Sequence, residues 1–127
     1  VVYELHGSTL RNYCMNCKKK YPIDFLLETT GVPRCPACGG IVRPDVVLYE
    51  EGLDADVLSG AIHAIQQADM LIIGGTSLVV YPAAGLINYY NGHKLVLINK
   101  SATGMDSRAD LAIHAPIGEV FSQITVG

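Results

Sequence analysis

Met70-Leu-Ile-Ile-Gly74 is a short, wholly apolar run ending on glycine, and its reading decides the fold. Its lack of apolar–polar alternation predicts a parallel strand buried on both faces. Upstream, Asp54-Ala-Asp-Val-Leu-Ser-Gly-Ala-Ile-His-Ala-Ile-Gln-Gln67 opens on a good N-cap residue and sets Val57, Leu58, Ala61, Ile62 and Ile65 at helical spacing. Downstream, Pro82 to Tyr90 predicts a second helix, Lys94-Leu-Val-Leu-Ile-Asn99 a second buried strand and Asp110 to His114 a third. A last helix is predicted from Ile117 to about Ile124. Helices alternating with apolar strands imply an α/β layer built on a parallel sheet flanked by helices. Val1-Val-Tyr-Glu-Leu-His-Gly-Ser8, at the other end, reads as a strand running into a turn.

Between these parts the texture changes. Residues 11–45 hold four of the six prolines, six of the nine Lys and Arg residues, and all four cysteines, Cys14, Cys17, Cys35 and Cys38. The cysteines form two C-x-x-C pairs with 17 residues between them, a spacing that suits two turns meeting at one zinc ion. Zinc takes four thiolates at about 2.3 Å, and a closed four-thiolate site is structural because no coordination position stays open. Two disulfides are the competing reading; they need an oxidising compartment, and the chain opens with no charged and apolar leader pattern. Lys18, Lys19 and Lys20 beside the second cysteine read as a solvated knuckle surface. With a net charge of −3 there is no global basic field, so direct nucleic acid binding is not expected. No apolar run reaches the roughly 18 residues that would suggest a membrane span, and a cytoplasmic location is expected.

Ligands of parallel α/β sheets bind at the carboxyl ends of the strands. Gly74-Gly75-Thr76-Ser77 follows the first strand, Asn99 ends the second, and Ala115-Pro116-Ile117-Gly118 follows the third. Glycines admit close backbone approach and the hydroxyls can donate to phosphate or ribose, although such a turn is also an ordinary tight loop. His6 is open in the same way: a general base at a cleft mouth, or an exposed histidine without chemistry.

The order Glu4-Leu-His-Gly-Ser8, C-x-x-C at 14–17 and 35–38, Arg43-Pro-Asp-Val-Val-Leu-Tyr-Glu-Glu51, Gly75-Thr-Ser-Leu-Val-Val-Tyr-Pro-Ala-Ala84 and Leu97-Ile-Asn99 closely resembles the sirtuin family of NAD-dependent protein deacylases. The resemblance covers essentially the whole chain. It implies a partial Rossmann-like NAD-binding domain over residues 1–10 and 46–127, with a zinc-binding module over 11–45. It further implies that His6 is the catalytic base, that Gly75, Thr76, Ser77, Asn99, Lys100 and Ile117 contact NAD, and that Val46, Val47, Leu48 and Tyr49 pair with an acyl-lysine peptide, whose other edge meets Val79 and Val80. Zn²⁺ would be structural and NAD⁺ a co-substrate: the acyl oxygen attacks C1′ as nicotinamide leaves, and His6 then accepts a ribose hydroxyl proton. Histidine is the side chain that most often serves such a proton transfer.

Departures from the family pattern set further expectations. The Gly-Ala-Gly phosphate loop, the Asp-Phe-Arg segment and the Thr-Gln-Asn-Ile-Asp stretch of sirtuins are not in these 127 residues, so the chain resembles a carboxy-terminal half. Alone it is expected to be inactive, and its exposed sheet edge is expected to pair with an amino-terminal half or with a second copy. Glu50 stands where many sirtuins carry Gly, and Lys100 lies in a segment where many carry an acid. The alternative reading is a non-catalytic zinc-containing binding domain derived from a sirtuin.

Overall fold

The computed structural model describes residues 1–126, which divide into two compact units, one from Val1 to Leu58 and one from Ser59 onward. In the first, β1 (Gly7–Cys14) lies between β2 (Lys20–Pro22) and β3 (Val42–Val46) in an antiparallel sheet. Gly7 pairs with Val46 and Cys14 with Val42, and the register shifts between Ser8 and Asn12, where Pro44 lies opposite Asn12. Proline lacks an N–H for the ladder, so its place at this irregularity is where a strand tolerates it. Asn12, only 2% exposed, turns its side-chain amide onto the Thr9 carbonyl at 3.2 Å. α1 (Ile23–Leu27) follows Pro22 directly. The buried centre of the unit is Cys14, Cys35 and Val42, with Tyr21, Phe25 and Leu26 packed against it.

α2 (Ala55–Gln66) runs across the boundary between the units. Its expected cap is present: the Asp54 carboxylate accepts the Asp56 and Val57 N–H groups, each at 3.0 Å. In the second unit, β4 (Leu71–Gly74), β5 (Leu95–Ile98) and β6 (Leu111–Ile113) form a parallel sheet in the order β4-β5-β6. β5 is central, and Leu95, Leu97 and Ile98 are buried along with Ala61, Ala84, Leu86 and Ile87. α3 (Ile117–Ser122) follows β6.

Four expectations need correction. Residues 1–4 form no strand, and β1 begins only at Gly7, after a turn closed by the Gly7 N–H on the Glu4 carbonyl. β4 is not buried on both faces, since Ile72 is 46% exposed; an apolar run reports the pattern of a central strand, and among the described residues β4 pairs only with β5. Ala83–Tyr89 is a 3₁₀ rather than an α segment, with Gly85 N–H reaching only to the Pro82 carbonyl. Gly85 weakens α propensity within this short stretch. β3 ends at Val46, so Val47, Leu48 and Tyr49 are not strand; their backbone turns toward Glu51 instead.

Candidate metal centre and nucleotide-site residues

Cys14 and Cys17 leave the end of β1, and Cys35 and Cys38 sit in the loop before β3. Each pair is wrapped in the same turn: Lys18 N–H bonds the Cys14 carbonyl at 3.0 Å and Gly39 N–H bonds the Cys35 carbonyl at 2.8 Å. Lys18 and Gly39, four residues after the first cysteine of each pair, both have positive φ, 61° and 72°. The turns are therefore two copies of one knuckle, and Lys18 adopts what Gly39 adopts without strain. Gly40 closes the packing, since a Cβ there would come within 2.8 Å of the Cys14 sulfur.

All four Sγ atoms lie within 4.8 Å of one another, with Cys14 to Cys38 at 3.5 Å and Cys17 to Cys35 at 3.6 Å. Four sulfurs held at about 2.3 Å from one ion would stand roughly 3.8 Å apart, so the donor set fits tetrahedral zinc. No pair is bonded as a disulfide, and the gathering of all four sulfurs at one point, rather than in two separate pairs, is the arrangement one metal ion requires. Cys14 and Cys35 are buried, Cys17 and Cys38 exposed. Their electrostatics differ: the Tyr21 hydroxyl brings the Cys35 thiol down to about 6, and the Gly40 N–H lowers Cys38. Cys17 accepts from the Lys19 N–H, but the neighbouring sulfurs, Cys38 first, and the partial loss of hydration beside them outweigh that and push it up to about 11. A dication that neutralises the crowded sulfurs is what allows all four to ionise together.

In the second unit Gly75, Asn99, Lys100 and Ile117 line a cavity of about 370 Å³, together with Ile98, Ser101, Ala115, Pro116 and Gly118. Gly75, at φ 65°, bonds through its N–H to the Ile98 carbonyl. Asn99 donates its side-chain amide to the Ser101 carbonyl at 2.9 Å. Thr76 and Ser77 are not among the lining residues, and the Thr76 hydroxyl accepts the Leu78 N–H within its own turn. Val79 and Val80 are exposed.

In the first unit the His6 side chain is exposed while its carbonyl accepts the Val47 N–H at 3.0 Å. Leu48 and Tyr49 are exposed beyond it. A feature that sequence reasoning missed holds this segment. Arg43 grips Glu51 with both terminal nitrogens, at 2.7 and 3.0 Å, and also donates to the Val46 carbonyl at 2.8 Å. The Glu51 carboxylate accepts in turn from the Leu48 N–H at 2.9 Å. Glu50 between them has φ 70°, the conformation that explains a preference for Gly there.

The Arg43 fork, followed by the Leu48 N–H, holds Glu51 down to about 2 from an ordinary 4.5. The folded-state value is the depressed one, so the stabilisation is complete above 4.5 and lost as pH falls through about 2. Glu51→Ala, which removes the acceptor of the Leu48 N–H along with the partner of Arg43, should therefore free the Leu48 amide to exchange at neutral pH without loosening the amides of the cysteine turns. Unaltered Leu48 protection in a site-resolved hydrogen-exchange experiment would show that the pair does not hold the turn.

Residues 1–82 match the family model described as Sir2 family. The chain is 65% identical over 124 residues to an NAD-dependent protein deacetylase of Clostridium perfringens (strain 13 / Type A), covering 97% of this chain and 51% of the relative. It is 52% identical over 123 residues to one from Cutibacterium acnes (strain DSM 16379 / KPA171202), covering 97% and 50%. Among solved structures, a Sir2 with p53 peptide and NAD⁺ superposes with a TM-score of 0.87 at 39% identity, over 96% of this chain and 53% of that one. A Sir2 bound to acetylated peptide gives 0.88 at 38% identity, over 96% and 53%. The chain thus spans about half the length of the curated relatives it matches. With the zinc-fitting cysteine cage, the parallel sheet and these matches together, the chain belongs to the Sir2 family.

Proposed function

We propose that this chain carries the zinc module and the adenosine-side half of an NAD-dependent protein-lysine deacetylase, working with an amino-terminal half that supplies the rest of the cofactor site. The observation that carries this reading is the cavity lined by Gly75, Asn99, Lys100 and Ile117 at the carboxyl ends of β4 and β5, where a parallel sheet takes a nucleotide. Thr76 and Ser77 would meet the cofactor from the same turn. In this reading residues 1–10 and 46–127 serve the Rossmann-like domain and 11–45 the zinc module.

His6 acts as the general base on a ribose hydroxyl after the acyl oxygen has displaced nicotinamide from C1′. That ribose oxygen attacks the acyl carbon, the carbon–nitrogen bond to lysine breaks with the amine taking up a proton, and one water is consumed, leaving free lysine and the acyl ester of ADP-ribose. The four-thiolate zinc braces the fold and takes no part in this transfer. An acyl-lysine peptide would lie along Val46, Val47, Leu48 and Tyr49, with Val79 and Val80 at its other edge, adding a strand by main-chain bonds that tolerate varied sequence. The open edge of β4 and exposed Ile72 support pairing with the amino-terminal half, or with a second copy when that half is lacking. Reduced thiols suit a cytoplasmic location.

The test mixes this chain with the amino-terminal half of the Clostridium perfringens relative and follows nicotinamide release and loss of acetyl from an acetyl-lysine peptide. Activity is expected only from the mixture, with sedimentation showing a one-to-one complex, and it should disappear in His6→Ala. An associated but inactive mixture would favour the non-catalytic binding domain; activity that survives His6→Ala would remove His6 from the chemistry.

A further inference from the structure

The Tyr21 hydroxyl lies 3.0 Å from the sulfur of Cys35. Tyr21 is held there from two sides: its position in β2 is paired with Asn12 of β1, and its ring stacks at 32° against Phe25 with centroids 4.4 Å apart. Cys35 itself is 2% exposed, so water does not compete for the sulfur. Amide donors from Ala37 and Cys38 reach the same atom. Among the described residues no other cysteine has a side-chain hydroxyl as partner.

Four thiolates on one dication leave a net charge of about −2, and burying such an anion is costly unless N–H and O–H donors face it. Peptide groups supply most of these donors in the two knuckles. At Cys35, the sulfur most removed from water with Cys14, a side chain completes the set. A hydroxyl hydrogen bond draws charge from the sulfur, which lowers its nucleophilicity and offsets the anionic charge of the whole cage.

We propose that Tyr21 is a positioning residue of the zinc site, whose hydroxyl stabilises the metal-bound thiolate of Cys35 and shields that sulfur from electrophiles. The inference concerns the structural centre alone and stands whether or not the chain takes part in deacetylation.

Tyr21→Phe keeps the ring on Phe25 and deletes only the donor. In the variant, zinc affinity measured by competition with a chelator should fall by about 10-fold, the lower end of what loss of a supporting hydrogen bond costs a metal site. The cobalt(II)-loaded variant should show its sulfur-to-metal charge-transfer band moved to longer wavelength, because the freed sulfur donates more strongly. N-ethylmaleimide added to the zinc-loaded protein, with the modified sites read by mass spectrometry, should attack Cys35 faster relative to the other three cysteines. Tyr13→Phe, which removes a hydroxyl from the neighbouring strand, should change none of these. An unmoved band with unchanged affinity would overturn the proposal, as would an equal gain in reactivity at all four cysteines, which marks general loosening. Should Tyr21→Phe not fold, 3-fluorotyrosine placed at position 21 keeps the ring and strengthens the donor. It must then move the cobalt band to shorter wavelength, and no movement would overturn the proposal.

Discussion

Cys35→Ala is expected to lose zinc and to unfold the cysteine module, with the amides from Cys14 to Val42 losing their protection against exchange. The size of the effect follows from how little else holds this part of the chain. The buried centre of the first unit consists of Cys14, Cys35 and Val42, two of which are metal-fitting thiols, with three partly buried hydrophobic side chains around them. α1 has five residues and no buried side chain, and β2 has three residues. Elements so short do not form in isolation. Structural zinc binding is worth about 10–16 kcal/mol near neutral pH, and in a module without a preformed core that energy is folding energy. Cys17→Ala separates metal from packing, because Cys17 is exposed and its loss leaves no buried cavity. Both variants should abolish stoichiometric zinc uptake, and chelation of the unaltered chain should reproduce their spectra. The parallel β4-β5-β6 sheet, whose buried side chains come from its own unit, should keep its slowly exchanging amides. A module that stays folded after complete metal removal would show that the thiols pack as ordinary core residues and that zinc is not the brace.

What could be read from the sequence divides along physical lines. The cysteine cage was legible because a C-x-x-C turn is local: the chain between the two sulfurs is too short to send them elsewhere. Asp54 was legible as a cap for the same reason, its carboxylate acting on N–H groups two and three residues ahead. β5 was legible because a central parallel strand is apolar on both faces, and Leu95, Leu97 and Ile98 are buried as the run implied. The same rule misjudged β4, since an apolar run does not say how many neighbours a strand has. Cys35 and Tyr21 meet through β-pairing and a loop return, so nothing in the spacing of 14 residues announces their hydrogen bond. Arg43 and Glu51 stand eight residues apart, a separation that no regular helix or strand makes neighbours. Only the turn through Glu50, with its positive φ, brings them together; the sequence marked Glu50 as standing where Gly is common, but not that the turn there would carry Glu51 to Arg43. Among the expected nucleotide-site residues, Gly75, Asn99 and Ile117 converge because strand ends of a parallel sheet share a side, whereas the Thr76 side chain is taken up by its own turn.

Gly7→Ala is the second large effect, and it tests the joint on which His6 stands. Gly7 has φ 76°, a region where an L side chain costs about 1–2 kcal/mol. Space is the greater problem. A Cβ at this position would fall 1.9 Å from the Asp45 carbonyl oxygen and 2.8 Å from its carbon, with Val46 Cα at 3.3 Å. These are backbone atoms of β3 at its pairing with β1, so no rotamer change can relieve the overlap, and the strands must part. The expected loss exceeds about 3 kcal/mol, the upper part of the range for single substitutions. Gly31→Ala is the control that isolates the clash: its φ is 83°, but a Cβ there meets nothing within 4 Å, so only the conformational cost applies. Denaturant unfolding of the zinc-loaded chain should place Gly31→Ala about 1–2 kcal/mol below the parent and Gly7→Ala well below Gly31→Ala. Parting the strands at Gly7 also separates the His6 carbonyl from the Val47 N–H, now 3.0 Å apart, the link that ties the proposed base to the proposed peptide strand. Hydrogen exchange at Val47 should therefore rise in Gly7→Ala under conditions where the cysteine turns remain protected by zinc. Equal midpoints for the two alanine variants would mean that β3 yields at no cost, and the close approach of Gly7 to Asp45 would then have no part in fixing His6.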